Sequence, residues 1–184
     1  MKKLLLILLF LPMIGFGQAK NVVQISTYEN GNVKEDKFYK DTLGWIYRYY
    51  REDGQLREVT GKYIYQRYNS RNGKLFEEGN YHHLTGSESG LWKRYYPNGQ
   101  LKELINYDLD GKLGRVGKYE EYYENGQLRE EGYYKDSNFD GLWLYYHQNG
   151  KLSAKRKFYR ANGEMEVIQE CWDENGVKFE CEPY

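Results

Sequence analysis

Residues 90–107 read Gly90-Leu91-Trp92-Lys93-Arg94-Tyr95-Tyr96-Pro97-Asn98-Gly99-Gln100-Leu101-Lys102-Glu103-Leu104-Ile105-Asn106-Tyr107, and their reading decides the fold. At the centre is a turn. Pro97 presets φ for the first corner of a type I turn, Asn98 takes the second, and Gly99 supplies the left-handed residue that closes a three-residue hairpin loop. That register sets Tyr95 opposite Leu101, an aromatic-aliphatic cross-strand pair worth about 0.2–1 kcal/mol, and Lys93 opposite Glu103. The stretch therefore specifies an antiparallel hairpin locally, through its corner residues, one apolar pair and one charge pair.

Outward from this stretch the same unit recurs. Turn glycines stand at Gly31, Gly54, Gly73, Gly99, Gly126, Gly150, Gly163 and Gly176, each after Asn except Gly54, which follows Asp53. Two residues later comes an aliphatic position (Val33, Leu56, Leu75, Leu101, Leu128, Leu152, Met165). Four later comes a glutamate in five units: Glu35, Glu58, Glu77, Glu103 and Glu130. Aromatics follow eight residues after the glycine, at Tyr39, Tyr81, Tyr107, Tyr134 and Phe158. Others precede it by four, at Tyr50, Tyr95, Tyr122, Tyr146, Tyr159 and Trp172, or by seven, at Tyr47, Trp92, Tyr119 and Trp143. Around Gly73 the position four back is Asn69 while Tyr65 and Tyr68 remain, which reads as the same hairpin with a shifted first strand.

Such self-similarity marks a repeat architecture. The expected fold is all-β: an elongated, antiparallel, single-layer sheet of repeated β-hairpins whose stability sums over neighbour contacts. Aromatics four and seven residues before the glycine have opposite parity on a flat strand. Either both faces of the sheet are aromatic or the strand kinks between the two positions.

The chain opens on a targeting segment. Residues 1–17 carry two lysines, an apolar run over 4–14 and small residues at Gly15 and Gly17, the layout of a secretory signal peptide. The run is too short for a membrane span, which takes about 20 residues. The expected organisation is a signal peptide at 1–17 and one hairpin-repeat domain over 18–184. The mature chain is then exported (periplasmic, cell-surface or secreted), with no transmembrane segment after cleavage. Cys171 and Cys181 flank the last turn at Asn175-Gly176, and in an exported protein such a pair reads as a disulfide closing the final hairpin.

Composition narrows the function by exclusion. The mature chain has 25 basic against 27 acidic side chains, so no basic field gathers phosphates and nucleic acid is not an expected partner. A mean hydropathy of −0.93 describes no single thick core. His82 and His83 point to opposite faces if they lie on a strand, which argues against a shared metal. Asp136-Ser137-Asn138-Phe139-Asp140-Gly141 reproduces half a calcium loop, but the twelfth position, where a bidentate glutamate is required, is His147. A tight turn before Trp143 is the expectation there, with no metal and no cofactor. Stacked hairpins would bring Glu58, Glu77, Glu103 and Glu130 into one row, and two carboxylates flanking a sugar bond are the makings of a glycosidase. A residue that recurs from unit to unit is structural rather than uniquely reactive, however, so no catalytic residue and no enzyme activity are expected.

The pattern Gly-x-Trp/Tyr-x-x-Tyr-x-x-Asn-Gly-Gln/Lys-Leu-x-Glu, carried closely by residues 90–101, 117–128 and 141–152, resembles the variant MORN repeat. In particular it resembles the repeat proteins of the YwqK antitoxin family, over about residues 28–177. The resemblance implies a hairpin sheet without enzyme activity and a role in binding other proteins. The leading segment and the terminal cysteine pair depart from the family pattern. The expected function is an exported, non-catalytic, antitoxin- or immunity-like scaffold that binds a protein partner along the aromatic face of its sheet. Tyr50, Trp92, Tyr95, Tyr122, Trp143 and Tyr146 are the expected binding face, ordered by the turns at Gly54, Gly73, Gly99, Gly126 and Gly150. The alternative is a carbohydrate or cell-wall binding module of the envelope, because an aromatic row also stacks on sugar rings or cages a quaternary ammonium.

Overall fold

The Asn-Gly corners are where the chain turns back, and the strands between them order themselves accordingly. A computed structural model describes residues 20–40, 44–61, 64–82, 84–161 and 164–182. The expected signal peptide at 1–17, His83 and the turn at Gly163 lie outside the described residues. Among the described residues fourteen strands run in sequence: β1 (Lys20–Thr27), β2 (Val33–Lys40), β3 (Gly44–Tyr50), β4 (Leu56–Gly61), β5 (Ile64–Tyr68), β6 (Leu75–Tyr81) and β7 (Glu88–Tyr95). There follow β8 (Leu101–Tyr107), β9 (Arg115–Tyr122), β10 (Leu128–Lys135), β11 (Asn138–Tyr146), β12 (Leu152–Ala161), β13 (Glu164–Trp172) and β14 (Lys178–Phe179). They form one open sheet in strict chain order, each strand antiparallel to its neighbours, with no helix among the described residues. The all-β hairpin sheet expected from the sequence is the fold observed.

Local chemistry explains the corners. Between β7 and β8 the Gly99 amide donates to the Tyr96 carbonyl and the Tyr96 amide to the Gln100 carbonyl, both at 2.8 Å, with Gly99 at φ 95°. This is the three-residue loop read from Pro97-Asn98-Gly99. The same two bonds close the corners at Gly31, Gly54, Gly126, Gly150 and Gly176. At Gly73 the loop is one residue longer, closing from Asn69 to Lys74, so Tyr68 pairs with Leu75 as Tyr95 does with Leu101.

One charge pair is corrected. Lys93 faces Leu104, and it is Arg94 that faces Glu103, because Lys102 is an extra residue bulged out just after the Tyr95–Leu101 pair. The same slip follows the corner in the hairpins at Val33, Leu56, Leu75, Leu128 and Leu152. A bulge so placed raises local twist and re-aims every later side chain. A second irregularity lies at Gly90, Gly117 and Gly141, with φ of 68°, 71° and 66°, where β7, β9 and β11 slip against the preceding strand.

These registers build a core within a single layer. Trp92, Ile105, Tyr119, Tyr134, Trp143 and Phe158 form one buried cluster, with Trp92, Ile105 and Trp143 fully enclosed. Trp92 lies across Gly79 and Trp143 across Gly132: a Cβ built on either glycine would stand 2.3 or 2.2 Å from the indole. Neighbouring rings close over each indole, with Tyr81 at 5.0 Å from Trp92 and Phe139 and Tyr134 at 4.5 and 5.0 Å from Trp143. Each indole N–H is satisfied by a carbonyl one strand back, that of Asn80 at 2.9 Å or Tyr133 at 3.1 Å. Trp92 and Trp143, expected on the binding face, are therefore core residues. The glycine opposite each one opens a slot that a planar ring fills, and burying such a ring contributes more than its neighbours can individually.

The parity question resolves as two aromatic faces. Tyr95 lies three residues from Trp92 along β7 and so points the other way. At the C-terminal end Cys171 and Cys181 form a disulfide, Cα–Cα 5.5 Å, as their spacing around the last turn implied.

Candidate functional site

The face opposite the core holds the other four expected residues, Tyr50, Tyr95, Tyr122 and Tyr146, all half-buried. Every one of these hydroxyls donates to a carboxylate: Tyr50 to Asp36 at 3.1 Å, Tyr95 to Glu78 at 2.7 Å, Tyr122 to Glu120 at 2.8 Å and Tyr146 to Glu131 at 3.1 Å. Burial, and then the adjacent carboxylate, pushes the Tyr50 and Tyr122 hydroxyls up to about 12, and Tyr95 further in the same direction. Glu78 is lowered despite its burial, because Tyr95, Gln66 and Lys93 all stabilise its charge. The rings are thus clamped at their tips and give the face a fixed relief.

The carboxylates belong to a line that crosses the sheet strand by strand. It runs Asp36, Arg48, Val59, Gln66, Glu78, Lys93, Leu104, Glu120, Glu131, Leu144, Lys155 and Glu170 through directly paired positions. Arg48 grips Asp36 through two bonds, at 2.7 and 2.6 Å; Lys93 reaches Glu78 at 3.5 Å and Lys118 bridges Glu120 and Glu131. Beside the line Leu91, Tyr133 and Leu142 are about half exposed. A shallow depression of about 280 Å³ over β5 to β7 is lined by Ile64, Gln66, Glu78, Asn80, Leu91 and Lys93 among others. Mixed charge, ordered tyrosines and exposed apolar side chains alternate along one surface, a composition suited to contact with another macromolecule.

On the core face the repeated glutamates do line up. Glu58, Arg67, Glu77, Arg94, Glu103, Glu121 and Glu130 are successive cross-strand partners, ending on Tyr145. Arg94 holds three carboxylates at once, Glu77 at 3.6 Å, Glu88 at 2.6 Å and Glu103 at 2.5 Å, and Arg67 holds Glu77 at 2.9 Å. From Glu103 on the alternation stops, and three carboxylates, Glu103, Glu121 and Glu130, follow one another. Burial, with the hydrogen bond and charge of Glu121 adding to it, pushes Glu130 up to about 7, even though Arg129 and Arg156 oppose the shift. The row clasps the strands beside the aromatic cluster.

Sequence reasoning missed a third use of the repeat. In the corners of Asn30, Asn72, Asn98, Asn125 and Asn149 the Asn Oδ1 accepts the amide two residues on, which is local turn chemistry; in the last corner Asp173 Oδ1 accepts from the Asn175 and Val177 amides. The asparagine Nδ2 then donates to a carbonyl of the following corner: Asn30 to Glu52 at 3.0 Å, Asn72 to Pro97 at 2.7 Å, Asn125 to Gln148 at 3.0 Å and Asn149 to Glu174 at 3.1 Å. Asp53 has no such donor, and there Arg51 reaches the carbonyls of Asn69 and Ser70 instead. The preference for Asn over Asp at seven of eight corners was the visible signal.

The remaining expectations concern ions. Asp136 and Ser137, at φ 51° and 65°, make a tight two-residue turn from β10 to β11, as read from the sequence. Among the described residues no group of three His, Cys, Asp or Glu side chains is placed to hold a metal.

Comparison with known proteins meets this geometry at the hairpins. The family model described as "MORN repeat variant" matches residues 20–41, 88–109, 115–136 and 139–159, which are the hairpins β1–β2, β7–β8, β9–β10 and β11–β12. No curated protein matches the chain. A solved structure titled "Crystal Structure of TcdB2-TccC3-Cdc42" is similar at 10% identity and a TM-score of 0.29, over 80% of this chain and 10% of that one. This chain therefore spans about a tenth of that protein's length.

Proposed function

We propose that this MORN-variant repeat chain is an exported, non-catalytic scaffold that binds a protein partner, in the manner of an immunity protein, on the face opposite its aromatic core. The observation that carries the reading is the clamped tyrosine row Tyr50, Tyr95, Tyr122 and Tyr146, set in a line of charges beside Leu91, Tyr133 and Leu142. Aromatic side chains already ordered by hydrogen bonds lose little freedom on binding, which favours affinity per contact. Export is supported by the leading apolar segment and by the disulfide between Cys171 and Cys181, a bond that persists in oxidising compartments.

The test is capture from envelope extract with the wild-type chain and with Tyr122→Ala combined with Tyr146→Ala. Retention of the native circular-dichroism spectrum by the variant makes the comparison fair. The scaffold reading expects a defined protein retained by the wild type and lost by the double variant. Equal retention by both would remove the face from consideration. Retention of peptidoglycan or purified glycan in place of protein would transfer the same tyrosine row to the carbohydrate-binding alternative.

A further inference from the structure

The two ends of the sheet are finished differently. β14 stops after two residues, its neighbourhood carries Lys178 and Glu180, and the disulfide ties Cys181 back to Cys171. The Gln169 amide also donates to the Glu182 carbonyl at 2.7 Å, drawing the tail against β13. Short strands, charges and covalent ties are the devices by which proteins prevent an edge from recruiting further strands.

β1 carries less: among the described residues it is eight residues long and hydrogen-bonded on one side only, to β2, its charge is confined to Lys20 at its start, and its register against β2 slips near Val22. Residues 21–28 include no charge and no proline, and are rich in β-branched side chains. Ile25 is 42% exposed, and Ser26 and Thr27 are exposed beside it. A neutral run of this kind on a free edge is a template for another strand.

We infer that β1 is a docking edge for a second copy of this chain, joined antiparallel, β1 to β1, about a twofold axis. The neutral run is bracketed in sequence by Lys20 and Glu29. Antiparallel self-pairing brings the positive end of each strand to the negative end of the other, whereas parallel pairing would set like against like. A twofold seam uses the same patch on both copies and closes the assembly at two, and it extends the strict antiparallel order already present in the sheet. The seam involves the sheet edge alone, so it is separable from the proposed partner face.

The experiment is sedimentation velocity on the exported chain over a wide concentration range. A reversible monomer–dimer equilibrium is expected. Ile25→Lys and Thr27→Lys, each placing a charge on the seam, weaken it by about tenfold or more. Val177→Lys, 63% exposed at the other end of the sheet, leaves it unchanged. Natively folded protein that stays monomeric at every concentration overturns the inference, and so does a dimer that tolerates both β1 charges.

Discussion

Two parts of the sheet solve the same problem with different neighbours. Around β6 to β8, Trp92 lies across Gly79 and the adjoining row is ionic, with Arg94 held between Glu77 and Glu103. Around β10 to β12, Trp143 lies across Gly132 in the same way, but the adjoining row reads Glu130, Tyr145 and Ala154. The indole-on-glycine pair is common to both. The row beside it is free to be a charge ladder in one place and an aromatic contact in the other. These two parts of the fold thus depend on the same packing, and the charge pattern is where they differ.

The sharpest way to break that comparison is to remove the shared part. Trp92→Ala and Trp143→Ala are each expected to destabilise the protein by about 3–5 kcal/mol, the range for a large aromatic cut from a packed interior. Urea unfolding of both variants checks it, and a loss confined to one of them would mean the two pairs are not equivalent. Gly79→Ala and Gly132→Ala are expected to cost somewhat less, about 1–3 kcal/mol, because the indole must shift to admit a methyl group. Matched costs at the two glycines would confirm that both indoles use the backbone surface in the same way.

A smaller effect separates the halves. Arg94→Ala leaves Glu77, Glu88 and Glu103 without their common partner in a partly buried row. With the arginine side chain about a quarter exposed, solvent screening brings the loss to about 1–2 kcal/mol, below the figure for a fully buried pair. High salt should reduce the difference from wild type, and salt-insensitive unfolding of the variant would argue that Arg94 contributes through its stem alone.

How much of this contrast was readable in advance follows from what each feature depends on. The corners, the Tyr95–Leu101 pair and the alignment of Glu58, Glu77, Glu103 and Glu130 depend on local turn chemistry and a fixed period, and both are written in Asn-Gly and its spacing. The bulge at Lys102 is not: nothing in Leu101-Lys102-Glu103 marks the extra residue, and missing it moved Glu103 from Arg94 to Lys93. The burial of Trp92 and Trp143 was hidden for a related reason. It needs Gly79 and Gly132 one strand away in register, and that register passes through the irregularities at Gly90 and Gly141. A tryptophan in a single-layer sheet looks like a binding residue until its facing glycine is known. Strand parity set the tyrosines four residues before the corner apart from the tryptophans seven before it but left two faces or a kink open, and the observed strands put Tyr95 and Trp92 on opposite faces.

The predicted effect most specific to one half is a pH dependence. Glu130 holds its proton up to about pH 7 in the folded chain because of burial and of Glu121 beside it, whereas an unfolded glutamate ionises near 4.3. Between those values the folded state binds more proton than the unfolded state, so this group's contribution to stability falls as pH rises from about 4.3 to about 7 and is constant outside that window. Tyr119, Tyr145, Arg129, Arg156 and Glu103 also face or border the pair. Glu78 and Glu120, lowered by their partners on the other face, contribute with the opposite sign and must be cancelled out. The measurement is therefore a difference: the melting temperature of wild type minus that of Glu130→Gln, followed from pH 4 to pH 8. It should decline across the window and then level. Glu121→Gln should flatten the decline, since the remaining carboxyl then faces an amide, while Glu77→Gln on the ionic side should leave it in place. A flat difference in the wild-type background would mean that Arg129 and Arg156 already neutralise Glu130, and that the row's missing arginine is supplied from β10 and β12.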